Sequence, residues 1–340
     1  MKPLPSTATP KKILMQIQPT DEGWTYAVEL AQSLAPHGTE VALVTTGCNP
    51  SRVQRRDIKS LSHLTLHSVA TGDASQEMNR LREVEEWFAP DAIHLNNFTL
   101  PTARFESPTL LVLHGEHRLD GKPEADAVVF TSHAAMREGE QNLGATPARV
   151  IFNGLDPARF KPSQKEKLIF TPVVPGTDHV EGKVLEEVAP KISWPVCVTS
   201  ASRRIARLAQ KVPGLRWLGR LGSDALPAWC GRASIFLQAG YNEPFGLTAV
   251  AAGLAGCALV LSDSPSLREL WAGAAVFVAP GDARSLRVAL RRLMENPARL
   301  KELAVFAQCR AIQLNSQQMA TQYLGAYAEA MNRRAVKAIP

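Results

Sequence analysis

The sequence predicts an α/β fold built on two parallel sheets, and three observations carry that expectation. Short apolar runs alternate with helix-spaced segments from Ile13 to Glu295. A polar, Pro-containing stretch from Lys161 to Lys167 interrupts the alternation. At 340 residues, the chain is long enough for two domains with separate cores. Strands that alternate with helices imply parallel sheets covered on both faces, and such sheets bind ligands beyond the carboxyl ends of their strands.

The elements follow in order. Residues 1 to 12 are rich in Pro, Ser, Thr and Lys and read as a loose tail. Ile13 to Ile17 is apolar enough for a buried strand, and Thr25 to Leu34 has Ala27, Leu30, Ala31 and Leu34 at helical spacing. The segment between them is expected to be a loop carrying Gly23. Further strands are expected at Glu40 to Thr46, Leu64 to Val69, Ala92 to Leu95, Thr109 to Leu113 and Ala127 to Phe130, with a helix at Gln76 to Phe88. Asn96, Asn97, His114 and Gly115 each follow a strand end, so they fall on the ligand-binding edge. Beyond the linker, strands are expected at Leu168 to Thr171, Val196 to Thr199, Ser234 to Gln238, Ala258 to Leu261 and Ala275 to Val278. Helices are expected at Lys183 to Lys191, Arg203 to Lys211, Leu226 to Ala233 and Ala283 to Glu295, then at Pro297 to Cys309 and Ser316 to Asn332.

Composition limits what the protein can be. Hydrophobic residues at 45% and charged ones at 21% are the balance of a soluble globular chain, with no apolar run of bilayer length and no signal-peptide core before Lys12. A cytoplasmic location is the expectation. Cys48, Cys197, Cys230, Cys257 and Cys309 form no C-x-x-C pair and no cluster with His, so buried, reduced thiols are expected rather than a zinc site or a disulfide frame. The net charge of +6 favours anionic partners. Solvated helix faces account for the basic runs at Arg52 to Arg56 and Arg203–Arg204 without nucleic acid. Peripheral contact with an anionic inner-membrane face, or a phosphorylated ligand, fits the charge better.

The stretch richest in chemistry is Tyr241 to Thr248, followed by small residues to Gly256 and an apolar run to Asp263. Glu243 offers acceptors for sugar hydroxyls; Pro244 stiffens the turn. The backbone N–H groups of Phe245, Gly246 and Leu247 stand where a helix begins, and unpaired donors there attract phosphate. Spacing alone also fits an ordinary strand, turn and buried helix. Glu243 to Leu247 resembles the E-P-F-G-L donor signature of GT4-like glycosyltransferases with the GT-B fold. Val150 to Phe160, with Asn153–Gly154, resembles the connector that ends the first domain in that family, Trp217 to Leu221 resembles its strand and turn, and "SPSLREL" and "VAPGDA" resemble family text as well.

That resemblance implies two Rossmann-like domains facing each other across a cleft, with a nucleotide-diphosphate sugar held between them. The implied divisions are 13 to 160 for the acceptor domain, 161 to 315 for the donor domain, and 316 to 340 for a helix returning to the first. It implies metal-independent transfer of a sugar with retained configuration, and no cofactor. By the same resemblance Glu243 and His114 are the catalytic candidates, with Pro244, Phe245, Gly246, Leu247, Gly23, Lys183, Arg203 and Asn153 around the donor. His94 is expected to be structural. The donor motif is degenerate: Ala251 stands where the family has a second Glu, and Val174 and Val180 stand where it has a diphosphate-binding Arg and Lys. Lys183, His179, Arg203, Arg204 or Arg268 would have to supply the missing charge. Two readings stay open: a glycosyltransferase with an unusual donor site, and a catalytically impaired GT-B protein that binds a sugar, a nucleotide or a partner. The acceptor class (sugar, lipid or small molecule) and the oligomeric state are open as well.

Overall fold

A computed structural model describes residues 9–97, 105–115, 121–173, 178–221, 225–240 and 246–337. Packing divides the chain into two compact units, Met1–Gly154 with Ser316–Pro340, and Leu155–Asn315. Each is a parallel sheet dressed with helices, as the alternation predicts.

The first unit has a seven-stranded sheet in the order β3-β2-β1-β4-β5-β6-β7. Its strands are β1 (Lys12–Ile17), β2 (Glu40–Thr45), β3 (Leu64–Ser68), β4 (Ala92–Asn96), β5 (Thr109–Leu113), β6 (Ala127–Phe130) and β7 (Ala148–Val150). Every residue of β4, β5 and β6 is buried, because helices cover both faces. The covering helices are α1 (Asp21–Leu34), α2 (Arg52–Asp57), α3 (Ala74–Phe88) and α4 (His133–Gly139). The chain runs outward from β1 to β3, then returns to place β4 on the other side of β1, with Gln16 opposite Leu95. That reversal leaves a crevice at the carboxyl ends of β1 and β4.

The second unit repeats the plan with six strands ordered β10-β9-β8-β11-β12-β13. They are β8 (Glu166–Pro172), β9 (Val196–Thr199), β10 (Leu215–Trp217), β11 (Ala233–Gln238), β12 (Ala258–Ser262) and β13 (Ala275–Val278). Its helices are α5 (Asp178–Val188), α6 (Arg203–Lys211), α7 (Ala225–Arg232), α8 (Leu247–Leu254), α9 (Pro265–Trp271), α10 (Ala283–Glu295) and α11 (Pro297–Gln313). Here the order reverses between β8 and β11, so the corresponding crevice lies past Val173 and Gln238.

The last helix, α12 (Ser316–Lys337), packs in the first unit against α1, β4, β5 and β6. It buries Tyr323 and Tyr327 fully, and its Arg334 reaches the buried Asp126 at 3.3 Å and the Glu106 carbonyl at 2.9 Å.

Three expectations need correction. The segment carrying Gly23 is not a loop, because α1 begins at Asp21 rather than Thr25. Thr20 accepts the Gly23 N–H at 3.2 Å and so starts the helix early, and a Cβ at Gly23 would stand 3.0 Å from the Gln18 carbonyl. Val150 closes the added strand β7 instead of opening the connector, since it pairs with Phe130. Finally, Cys48 and Cys309 are exposed; only Cys197, Cys230 and Cys257 are buried.

Candidate functional site

In the first unit, the carboxyl edge of the sheet carries a connected set of hydrogen bonds. Asn96 ends β4 fully enclosed, its Nδ2 donating to the Gln16 carbonyl at 2.6 Å and its N–H to Gln16 Oε1 at 3.1 Å. Those bonds fix the amide so that Oδ1 faces two imidazoles, His94 Nε2 at 3.1 Å and His114 Nε2 at 2.8 Å. An amide oxygen only accepts, so both Nε2 atoms carry the proton and both Nδ1 atoms accept. The donors to them are Tyr327 Oη at 2.6 Å for His94 and Asn153 Nδ2 at 3.3 Å for His114. Burial holds His94 neutral by lowering its pKa to about 3. It raises the Tyr26 and Tyr327 hydroxyls well above their ordinary value.

His114 follows β5 and is fully buried, with the Tyr26 ring edge-on at 4.6 Å. Its backbone is gripped by Asn97, whose Oδ1 accepts the His114 N–H at 2.7 Å and whose Nδ2 lies 3.4 Å from the His114 carbonyl. Asn97 itself holds φ 45°, a left-handed conformation that Asn tolerates better than most residues. Asn153 and His114, singled out for different reasons, are thus brought together, with His94 beside them. Gly23 is separate: its N–H is occupied by the Thr20 cap.

In the second unit, β11 delivers Gln238 and Gly240 to the crevice, and Ser262 Oγ donates to the Gly240 carbonyl at 2.6 Å. Glu243, Pro244 and Phe245 come next in the chain and lie outside the described residues, as does Val174. Gly246 then caps α8 with φ 65°, and no side chain caps that helix. The left-handed conformation explains a Gly at this position, where a Cβ would be strained. Leu247 and Ala251 are buried, and so is every other residue of α8. A side chain the size of Glu at position 251 would therefore have to displace packed neighbours.

The charges expected to replace the missing cations are differently disposed. Lys183 on α5 and Arg203 and Arg204 at the start of α6 are exposed. Arg268 is committed elsewhere: its guanidinium binds Asp263 and lies 4.8 Å from the centre of the Phe277 ring. Val180 is half-buried on α5. The next residue is one the sequence reading missed. Glu181 is only 5% exposed, and its side chain fills the space above Gly240, where a Cβ would fall 1.8 Å from Glu181 Oε1. A carboxyl group in the first turns of α5 thus borders the residue just before the Tyr241 to Thr248 stretch. The missed signal was a Glu two positions from the expected cation, with a Gly at 240 to admit it.

Among the described residues no group of three or more His, Cys, Asp and Glu gathers as a metal site would. None of their helices is long and apolar enough to cross a membrane.

Two parallel sheets, each reversing its strand order at one point, define a two-unit α/β protein of the doubly wound kind. Residues 23–159 match the model of Glycosyltransferase Family 4, and residues 203–308 match that of Glycosyl transferases group 1. The chain belongs to the GT4-like glycosyltransferases of the GT-B fold. Among solved structures it is similar to a glycosyltransferase from Rickettsia africae, at 14% identity and a TM-score of 0.74, over 95% of this chain and 99% of that one. Sucrose-phosphate synthase from Thermosynechococcus elongatus matches at 18% identity and a TM-score of 0.74, over 93% and 98%. HepE of Anabaena, solved with UDP and glucose, matches at 15% identity and a TM-score of 0.72, over 93% and 99%. No curated protein matches by sequence.

Proposed function

We propose that the protein transfers a sugar from a nucleotide-diphosphate sugar to an acceptor, with retained configuration and without a metal. The observation that carries this reading is the beginning of α8: Gly246 in a left-handed conformation and no side-chain cap, at the end of the E-P-F-G-L sequence. Uncapped backbone donors with the helix dipole behind them stabilise the charge that grows on the diphosphate as its bond to the sugar C1 breaks. The acceptor hydroxyl oxygen bonds to C1 as the bond from C1 to the diphosphate oxygen breaks, and its proton passes to the departing diphosphate. Glu243 is assigned to the donor sugar hydroxyls, Lys183 and Arg203 to the diphosphate, and His114 with Asn153 to the sugar. Since both imidazole nitrogens of His114 are engaged inside its own unit, its contribution is to shape rather than to proton transfer. HepE was solved with UDP and glucose, which makes UDP-glucose the first donor to try.

A second reading rests on Glu181 and Ala251. A carboxyl group beside Gly240, next to the Val180 that stands in place of a cation, and a buried methyl at 251 in place of a carboxylate suit a protein that binds a sugar, nucleotide or partner without turnover. Thermal shift against a panel of nucleoside diphosphates and their sugars separates the two, because a ligand bound only by the folded state raises the melting temperature. A donor that shifts melting should also be turned over, and Glu243→Ala should lower that rate by about a thousandfold. Equal transfer by both proteins refutes the role given to Glu243. No shift with any donor sinks the enzyme reading, and chelation of metals should leave the rate unchanged.

A further inference from the structure

Between Glu187 and Asp224 the chain carries seven Lys and Arg and no Asp or Glu. The structure gathers four of them on one short helix. Arg203, Arg207 and Lys211 follow each other at intervals of four along α6, with Arg204 beside them, and all four are exposed. The opposite face of α6 is spent on the core of the unit, through Ile205 and Leu208. Among the described residues none of the four cations pairs with a carboxylate. Helix α6 packs on β10, the edge strand of the sheet. Strand alternation puts Trp217 on the same side of that strand as buried Leu215, which joins the core around Ile205, and so on the α6 side. The Trp217 ring is 47% exposed, and its indole N–H is held by the Ser200 carbonyl at 3.1 Å.

We propose that this face of α6 with Trp217 is a docking surface for an anionic phospholipid bilayer. The charge is of one sign, directed outward from a convex helix, and bordered by a fixed indole, the side chain that settles at headgroup depth. A clustered row of four cations on an amphipathic helix is what an anionic leaflet attracts. A nucleic acid would instead call for a groove or a row of stacking rings, and a single Trp supplies neither. The attachment is reversible and weakened by salt, since nothing here inserts deeply. Arg203, assigned above to the diphosphate, stands at the start of this row; the docking surface rests on Arg204, Arg207, Lys211 and Trp217 and does not require it.

The test is flotation of the full-length protein with phosphatidylcholine vesicles, with and without phosphatidylglycerol. Binding is expected only with phosphatidylglycerol, and it should disappear at high salt. R207E combined with K211E, exposed positions assigned no part in the donor site, should weaken it on the order of a hundredfold. R284E with R292E makes the same charge change on α10 and should leave binding within about twofold. Melting temperatures of both variants should match the parent; should the α6 reversal unfold, R207Q with K211Q reads the same face. Trp217→Phe should reduce the fluorescence shift that vesicles induce. Binding to neutral vesicles alike, equal loss in the α10 variant, no binding at all, or displacement by an oligonucleotide at equal phosphate concentration would each overturn the proposal.

Discussion

The two sheets share a plan and differ at the edge where each would meet a ligand. In the first unit, Gln16, Asn96, His94, His114, Tyr327 and Asn153 are hydrogen-bonded to one another, so the polar groups at the reversal point are buried and engaged within the unit. In the second, α8 begins without a side-chain cap, a carboxyl group lies against Gly240, and Lys183, Arg203 and Arg204 remain exposed. The same strand order therefore gives one edge whose shape is fixed by internal bonds and another that opens a helix on a left-handed glycine and carries exposed cations. A buried network stabilises only while every member is satisfied, whereas an open helix terminus keeps its donors in reserve.

The first unit's closure predicts the largest effect. Asn96→Leu removes the acceptor of two buried imidazole N–H groups and the donor to Gln16, at about 1–3 kcal/mol for each group left unpaired. Urea unfolding should show a loss of roughly 4 kcal/mol or more, with Asn96→Asp less damaging because it still accepts. A loss below about 1 kcal/mol would mean that the network is open to water after all.

His94 sharpens the same contrast through pH. Burial depresses its pKa to about 3, so below its ordinary value of 6.5 the unfolded chain takes up a proton that the folded protein refuses. This contribution is complete above that value and is lost as pH falls toward about 3, at up to ~1.4 kcal/mol per pH unit. His63 and His67, also lowered by burial, add smaller losses of the same sign. Replacing His94 by Gln should flatten the acid limb of the stability curve by about one proton.

In the second unit the effect is one of affinity. Glu181→Lys puts a cation beside Gly240 and should tighten nucleoside diphosphate binding by about tenfold, read by calorimetry. Weaker binding would show that the Glu181 carboxyl holds the ligand instead of limiting it.

Strands that run buried through a parallel sheet were readable because they are continuous apolar runs, and β5 and β12 coincide with the expected segments to within a residue. The short helices α4 and α9 were not read. With 7 residues each, neither shows two turns of apolar period, although Ser264 followed by Pro265 is a helix start that spacing rules alone could have found. At the edges, the positions of Asn96, Asn97 and His114 followed from strand ends. Their bonding did not, because it depends on Gln16, Tyr327 and Asn153, which lie far away in sequence. Glu181 was hidden for the same reason: its burial is decided by the missing Cβ of Gly240.

The smallest expected effect concerns Arg268, which sequence reasoning counted among the cations able to serve a diphosphate. Its guanidinium already faces both oxygens of Asp263 and lies over the Phe277 ring, and the pair lowers the Asp263 pKa through that hydrogen bond. To reach a phosphate it would have to leave a charge-assisted bidentate contact, trading one anion for another with little net gain. Arg268→Gln should therefore leave nucleotide affinity unchanged, whereas Lys183→Gln, which gives up no such partner, should weaken it. If both variants lose affinity to the same degree, Arg268 abandons Asp263 when the ligand arrives, and the second unit's edge is rearranged by binding rather than merely filled.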